Sequence, residues 1–264
     1  MKNFTFLLGT IFFLVLVCLS VSCRKPPPEP EKKKPIPTSV TDIDGNTYNV
    51  MRFGNKLWMG ENLMVTRYDT ESPISGDTIA KATNKLSVDI QTPSYKDARF
   101  FIESPDTDNL TDEIRNSLGF LYNWSAAAGT SINNTTVADR IQGVCPNGWR
   151  LPTSADFDTL CLLVGGKEMA GKALKSTQGW LINSGTNESG MNCYPAGLAI
   201  RDNASFVGKL IMFWSSKSMV YNNTKAEVLY LYFSNDNAEV KNINKEQANS
   251  VRCVLDLDSS YIGF

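Results

Sequence analysis

The stretch Cys145-Pro-Asn-Gly-Trp149-Arg-Leu-Pro-Thr153-Ser-Ala-Asp-Phe157 combines a turn, the end of an extended segment and the start of a helix. Pro152 favours extended geometry at the residue before it, so we expect a strand to end at Leu151. Thr153 can cap the helix that follows, with Asp156 three residues later as its capping-box partner. These signals specify a strand–turn–helix unit, and none of them points to catalysis.

The residues after this start have the spacing of one helix face. Phe157, Leu160, Cys161 and Val164 are apolar and stand at positions i, i+3, i+4 and i+7. Gly165-Gly166 follows, and glycine is typical just beyond a helix end. The sequence therefore predicts an amphipathic helix that ends before Gly165.

Upstream, residues 40–59 have the pattern of a three-stranded meander. Residues 40–50 alternate apolar and polar around Asp44-Gly45, a strong hairpin signal. Gly54-Asn55 provides a second turn before Lys56–Met59. Asp42 and Asp44 resemble part of a calcium loop, but the EF-hand template would place Val40 and Met51 at ligand positions, so we interpret them as turn residues.

The rest of this region alternates short apolar runs with polar turns, which indicates a loop-rich α+β fold. The five tryptophans favour a well-packed core over a stacking surface. We expect the following elements: a short capped helix at 111–115, a buried helix over 119–128, a short helix at 168–175, long loops over 176–210 and closing strands at 212–216, 228–233 and 250–254.

The amino terminus has the layout of a bacterial secretory signal. Lys2 precedes an apolar run from Phe4 to Leu19, which is shorter than the roughly 20 residues of a membrane span. Ser20-Val21-Ser22 before Cys23 resembles a lipobox, the site where bacterial lipoproteins are cleaved and acylated. We therefore expect residues 1–22 to be a lipoprotein signal peptide and Cys23 to carry palmitate; the alternative is a cleaved soluble signal.

A proline-rich segment follows the cysteine. Residues 24–38 contain half of the chain's 12 prolines together with five basic residues. Such a segment cannot bury a core, and in an extended form it reaches about 45 Å. We interpret residues 23–38 as a lipidated tether and residues 39–264 as the folded domain.

Composition excludes several kinds of function. The chain has 26 basic and 27 acidic residues without a basic stripe, which argues against nucleic acid as a partner. It has no histidine, which excludes histidine-based triads and histidine-ligated zinc. Cysteines 145, 161, 193 and 253 form no Cys-x-x-Cys pair, and capping and solvation explain Asp156 and Asp158. We therefore expect no catalytic residues, no metal and no cofactor.

Many short motifs stand in the order found in one known family, and together they resemble the Fibrobacter succinogenes major paralogous domain over residues 40–256, with residues 85–117 as a variable insertion. The motifs are Asp42-Ile-Asp-Gly-Asn46-x-Tyr48, Trp58-Met-x-Glu-Asn-Leu63, Leu121-Tyr-Asn-Trp124, Cys145-Pro-x-Gly-Trp-Arg-Leu-Pro-Thr153, Gly171-x-x-Leu174-Lys175-Ser176, Ser189-Gly190, Pro195-Ala-Gly197, Phe213-Trp-Ser-Ser216 and Ser250-Val-Arg-Cys253-Val.

The resemblance implies a C-type-lectin-like fold of short twisted antiparallel sheets, two or three helices and long loops. It also implies a disulfide between Cys145 and Cys253; two free thiols are the alternative. Cys161 is expected to be a small core residue, and Cys193 is either its partner or simply buried. The family is distantly similar to formylglycine-generating sulfatase modifiers, which work through a cysteine pair.

Three functions follow from these expectations. The first is a lipid-anchored binding module of the outer membrane, whose loops at 176–210 and 216–227 have polar residues suited to a glycan or an envelope protein. The second is a structural envelope protein without a small ligand. The third, a modifier-like enzyme, is disfavoured because Cys161 and Cys193 lie outside matching motifs. Calcium-dependent sugar motifs are missing, since Ser234–Asn237 lacks their tryptophan.

Overall fold

The amino-terminal meander is present as predicted, and it forms a sheet with the last strand of the chain. In a computed structural model, β1 (Ser39–Thr41), β2 (Thr47–Phe53) and β3 (Lys56–Met59) pair antiparallel in succession. β12 (Val254–Asp256) pairs with β3, with Val254 opposite Trp58. Lys34 and Tyr261 form a bridge just outside this sheet. The first three strands and the last strand of the described chain are therefore neighbours in one sheet.

The structure describes residues 32–69, 78–81, 93–98, 110–129, 140–200, 203–219 and 224–263. Residues 34–264 form one compact unit. The predicted signal peptide, Cys23 and residues 24–31 of the predicted tether lie outside the described residues. No helix among the described residues is long and apolar enough to cross a membrane.

A second antiparallel sheet contains the longest strands. β9 (Leu210–Ser218), β10 (Lys225–Tyr232) and β11 (Ala238–Asn244) are arranged in the order β11-β10-β9. The register between β9 and β10 shifts, because Val228 faces Trp214 while Ala226 faces Ser218. Two extra residues of β9 are therefore accommodated in a bulge.

Four helices and five short strands complete the described part of the chain. The described residues thus form an α+β fold, as expected, with more helices than the predicted two or three. The helices are α1 (Asp112–Ser117), α2 (Trp124–Ala128), α3 (Ser154–Leu163) and α4 (Lys167–Leu174), and the strands are β4 (Ala80–Lys81), β5 (Ser94–Asp97), β6 (Phe120–Tyr122), β7 (Leu198–Ile200) and β8 (Asn203–Ser205).

The helix α3 begins and ends where the sequence places it. The Thr153 hydroxyl accepts a hydrogen bond from the backbone N–H of Asp156, and the Asp156 carboxylate accepts one from the backbone N–H of Thr153. The chain leaves the helix at Gly165 and Gly166, both with positive φ. Phe157, a member of the predicted apolar face, is fully buried.

Several predicted elements differ in the structure. Phe120–Tyr122 is a strand instead of the first turn of a helix, because the Asn123 side chain accepts a hydrogen bond from Ala126 N–H and starts α2 there. The predicted strand ending at Leu151 is absent, because the pairing there is limited to one isolated β-bridge between Arg150 and Val254. The last strand starts at Val254 rather than at Ser250, and the sequence analysis missed β11, whose burial pattern is irregular.

The second sheet lies between two apolar clusters. Trp214 and Val228 pack into the first, which also contains residues of the meander. Phe213, Leu229 and Leu231 pack into the second, which also contains residues of α3 and α4. All five tryptophans are buried, which confirms the predicted core role.

Cys145 and Cys253 form the disulfide that the family resemblance implied, with their Cα atoms 5.8 Å apart. The bond joins the segment before α3 to the segment before β12 across 108 residues of sequence. Cys161 and Cys193 are both buried and free, so the structure does not pair them.

Close to the disulfide, Arg150 connects two carboxylates. Its guanidinium donates to both oxygens of Asp256, at 2.7 and 2.9 Å, and to Asp156 at 2.7 Å. Lys56 Nζ lies 2.6 Å from Asp256 and 3.1 Å from Asp156. Burial would raise the pKa of Asp256, but the hydrogen bonds from Arg150 and Lys56 hold it well below its ordinary value. This cluster joins β3, α3 and β12.

Removing the disulfide with Cys145→Ala/Cys253→Ala should lower the free energy of unfolding by about 4–5 kcal/mol, because the unfolded chain regains the freedom of a long loop. Guanidinium denaturation measures the change. Dithiothreitol should shift the midpoint of the wild type and leave that of the double variant unchanged. Equal midpoints for the two proteins without reductant would contradict a stabilising disulfide.

Replacing Asp256 by asparagine should destabilise the domain at neutral pH. A carboxylate whose pKa is lowered by folding contributes its full stabilisation at pH values above its pKa in the unfolded chain, near 3.8. This contribution is lost as the pH falls through the lower pKa of the group in the folded protein. The difference between wild type and Asp256→Asn should therefore shrink as denaturation is measured at increasingly acidic pH. Asp158→Asn, which removes an exposed ion pair with Lys167, should have little effect at any pH.

Candidate functional site

Three aromatic side chains lie in contact at the end of β10. Tyr230 and Tyr232 alternate with the buried Leu229 and Leu231, so both tyrosines lie on the other face of the sheet and are only partly buried. Their rings are nearly parallel, with centroids 5.7 Å apart. Phe233 meets Tyr232 edge-on at 4.7 Å. We call these three residues the aromatic platform.

Charged side chains of β11 lie beside the platform. Glu239 is the register partner of Tyr230, and Lys241 Nζ lies 3.7 Å from the centroid of the Tyr230 ring. Lys241 and Glu239 also form an ion pair at 3.4 Å, with both side chains more than 40% exposed. Tyr230 and Tyr232 also pack against the first apolar cluster and Phe233 against the second, so the platform presents only the exposed part of these rings, beside a rim of both charges.

The hydroxyl of Tyr230 remains protonated over the physiological range. Burial, followed by the nearby Tyr232 and Glu239, raises the pKa of Tyr230 to about 12. A neutral phenol can donate as well as accept a hydrogen bond. Tyr230 therefore offers a flat ring and a polar tip at the same place, the combination that lets tyrosine contact amphipathic ligands.

The loop over 176–197 is held by its own side chains. Lys175 is fully buried and donates to the carbonyls of Asn183 and Asn235 at 2.9 and 2.8 Å. Trp180 Nε1 lies 3.2 Å from both the Ser176 hydroxyl and the Cys193 carbonyl. These bonds occupy polar groups that the sequence analysis considered for sugar hydroxyls.

Polar atoms of this loop also bond to its neighbours. Asn183 Nδ2 donates to Asp236, and Asn187 Oδ1 accepts from the backbone of Asn192. Within the predicted segment 216–227, residues 220–223 lie outside the described residues. The described part of 176–210 is thus better explained as a supporting loop than as a free binding loop.

The carboxylates considered for calcium are used by turns. Asp42 accepts hydrogen bonds from the Tyr48 hydroxyl at 2.7 Å and from the backbone of Asn46 at 2.9 Å. Asp44 accepts from Thr66 and Arg67. In Ser234–Asn237, the Asn235 side chain accepts from the backbone of Asn237. The described ranges contain no group of three or more acidic or cysteine side chains that could hold a metal ion.

The two free cysteines lack the environment of reactive thiols. Burial raises the pKa of Cys161 to about 11, and burial also raises the pKa of Cys193. Because the thiolate is the nucleophile, both groups are held in their less reactive form. The arrangement gives no support to cysteine chemistry of the sulfatase-modifier type.

The platform was not predicted from the sequence. Residues 228–233 were predicted as a closing strand, with no distinction between its two faces. The signal was the alternation of tyrosine with leucine at Tyr230 and Tyr232, which is typical of a strand with one buried and one partly exposed face. The rim was harder to foresee, since Lys241 and Glu239 belong to the strand that the analysis did not predict.

Comparison with known proteins agrees with the ordered motifs of the sequence. Neither the curated proteins nor the solved structures returned a match. A family model does match, described as the Fibrobacter succinogenes major domain, and it covers residues 51–255. This range begins within β2 and ends within β12, and it includes the disulfide, the aromatic platform and every member of the Arg150 cluster except Asp256. The chain belongs to the Fibrobacter succinogenes major domain family.

Proposed function

We propose that this protein is a lipid-anchored module of the bacterial outer membrane that binds a glycan on its aromatic platform. In this proposal residues 1–22 are removed, Cys23 carries palmitate, residues 23–38 form the tether and residues 39–264 form a C-type-lectin-like domain. The platform at Tyr230, Tyr232 and Phe233 is the single observation that carries the binding role.

The chemistry of the platform suits a sugar better than a purely apolar ligand. A pyranose ring presents C–H groups on its faces and hydroxyls around its edge. The nearly parallel Tyr230 and Tyr232 rings can cover such faces, while Glu239 and Lys241 lie where hydroxyls need hydrogen-bond partners. Tyrosine also adds contact area at a low cost in conformational entropy.

The C-type-lectin-like assignment is supported by the family resemblance, by the position of the disulfide and by the pairing of the last strand with the sheet of the first three. The disulfide joins the segment before a helix to the segment before the last strand, and the last strand returns to the sheet of the first three. A rigid framework of this kind is the usual support for a binding surface. A binding role also agrees better with the buried thiols than a modifier-like enzyme does.

A structural or protein-binding role in the envelope is the second candidate. Exposed apolar side chains favour it, because contiguous apolar surface often marks a protein contact. Leu181 bonds through its backbone N–H to Gly208, close to the exposed Phe206. The exposed apolar residues of the described chain are Leu162, Leu163, Met169, Leu181, Ile182, Ile200, Phe206 and Ile262.

A glycan array probed with the chain from residue 24 onward should give binding that does not depend on calcium. Tyr230→Ala/Tyr232→Ala should weaken that binding about tenfold or more, because two ring contacts are lost. Titration of the best array ligand by calorimetry measures the change.

Two variants serve as controls for the platform. Tyr230→Phe/Tyr232→Phe keeps the rings and should retain most of the affinity, whereas Tyr261→Ala changes a tyrosine near the carboxyl end and should have no effect. Undiminished binding by the double alanine variant would reject the platform as the site. An array without any signal would favour the structural role.

The anchor is tested by labelling growing cells with palmitate. The wild type should incorporate the label and sediment with the membrane fraction, while Cys23→Ala should lose both because the acylated thiol is missing. Cys18→Ala is the matched control and should behave like the wild type. Equal labelling of wild type and Cys23→Ala would contradict acylation at Cys23.

A further inference from the structure

A serine and a lysine meet where β9 ends and β11 has just ended. Lys245 Nζ lies 2.6 Å from the hydroxyl oxygen of Ser218. Ser218 is partly exposed, whereas Lys245 is fully buried. The pair therefore combines the hydroxyl of a partly exposed serine with the amine of a buried lysine.

The backbone places Ser218 in this position. The bulge in β9 lies between Trp214 and Ser218, where four residues of β9 span two residues of β10. Inside the bulge, Ser216 N–H donates to the Pro152 carbonyl and Lys217 N–H donates to the Ser215 hydroxyl. Bulges of this kind redirect side chains and are frequent beside active sites.

The surroundings of Lys245 are unusual for a lysine. Its Nζ lies 3.8 Å from the centroid of the Trp124 ring of α2. Its backbone N–H donates to the Thr224 carbonyl just before β10. Among the described residues no carboxylate forms an ion pair with it, since Glu227, the acidic residue of β10, pairs with Lys217 instead.

Burial lowers the pKa of Lys245 to about 8. The Trp124 ring favours the charged form and so acts against this effect of burial. No charged group on α2, β9 or β10 contributes to the shift. A minor fraction of Lys245, about a tenth at pH 7, is therefore neutral and able to accept a proton.

We propose that Ser218 and Lys245 form a serine–lysine pair that transfers acyl groups from carboxylic esters. This inference goes beyond the glycan-binding role and does not depend on it. Serine–lysine pairs perform nucleophilic catalysis without histidine. The lack of histidine, which made catalysis unexpected from the sequence, thus leaves this chemistry open.

The reaction requires only the two side chains, the ester and water. Neutral Lys245 takes the proton of the Ser218 hydroxyl as its oxygen attacks the ester carbonyl carbon. A new carbon–oxygen bond to Ser218 forms, the bond to the leaving alcohol breaks, and the Lys245 ammonium returns its proton to that alcohol. Water then attacks the acyl-serine while neutral Lys245 takes a proton from it. The bond to the Ser218 oxygen breaks, Lys245 returns the proton to that oxygen, and the carboxylic acid leaves.

A fluorophosphonate probe tests the pair directly, since it phosphonylates an activated serine hydroxyl and releases fluoride. The full chain should be labelled, and peptide mass spectrometry should map the adduct to Ser218. The labelling rate should rise about tenfold between pH 7 and pH 9, as a base with a pKa of about 8 loses its proton. Hydrolysis of p-nitrophenyl acetate should follow the same pH profile.

Variants separate the roles of the two residues. Ser218→Ala should abolish labelling, and Ser234→Ala, at an exposed serine elsewhere, should not change it. Lys245→Arg keeps the positive charge but cannot act as a base at these pH values, so the labelling rate should fall at least tenfold. Should this variant fail to fold, as judged by circular dichroism, the pH profile of the wild type still decides.

Three results would overturn the proposal. They are an absence of labelling in the folded wild type, an adduct on another residue, and labelling of Ser218 that does not change with pH. Glycan binding is measured independently, so its loss or retention does not alter this outcome.

Discussion

The link between Cys145 and Cys253 is the constraint on which the rest of the domain depends. It joins the segment before α3 to the segment before β12. The ion pair of Arg150 with Asp256 makes a second connection between the segment before α3 and β12 itself. Because β12 pairs with β3, the meander near the amino terminus is held through the same junction. Breaking one partner of such a charge cluster is costly, since the remaining charge stays partly buried.

Buried cations make a second, different kind of junction. Arg252 is fully buried and donates to the side chain of Asn62 and to the carbonyls of Met191 and Asn192. Lys175 is likewise bound by carbonyls. Both tie irregular loops to the core through backbone atoms, which explains how long loops stay ordered. Lys245 has a serine hydroxyl and an aromatic ring in place of carbonyls, so its charged form is less well stabilised.

Sequence alone predicted those elements whose causes are local. The capping box of Thr153 and Asp156 and the turns around Gly45 and Gly54 involve residues a few positions apart, and each was found as expected. The start of α2 after Asn123 was not predicted, because the apolar residues of Phe120–Tyr122 are compatible with either a strand or a helix. The pairing of Arg150 with Asp256, 106 residues away, could not be foreseen from spacing. The platform and its rim depended on the register of β10 and β11, and the pairing of Ser218 with Lys245 depended on a bulge.

The disulfide also determines how the domain responds to mechanical load. Tension applied between Lys34 and Tyr230 would load the covalent chain that joins these two residues. The shortest covalent path between these points runs from β10 forward to Cys253 and across the sulfur bridge to Cys145, bypassing the long segment that contains α3, α4 and the loop after them. Tension is therefore carried around this segment, which cannot be drawn out while the bridge is intact, whereas residues 34–144 and 231–252 have no such protection. The bridge thus protects α3, α4 and the loop after them from extension under load.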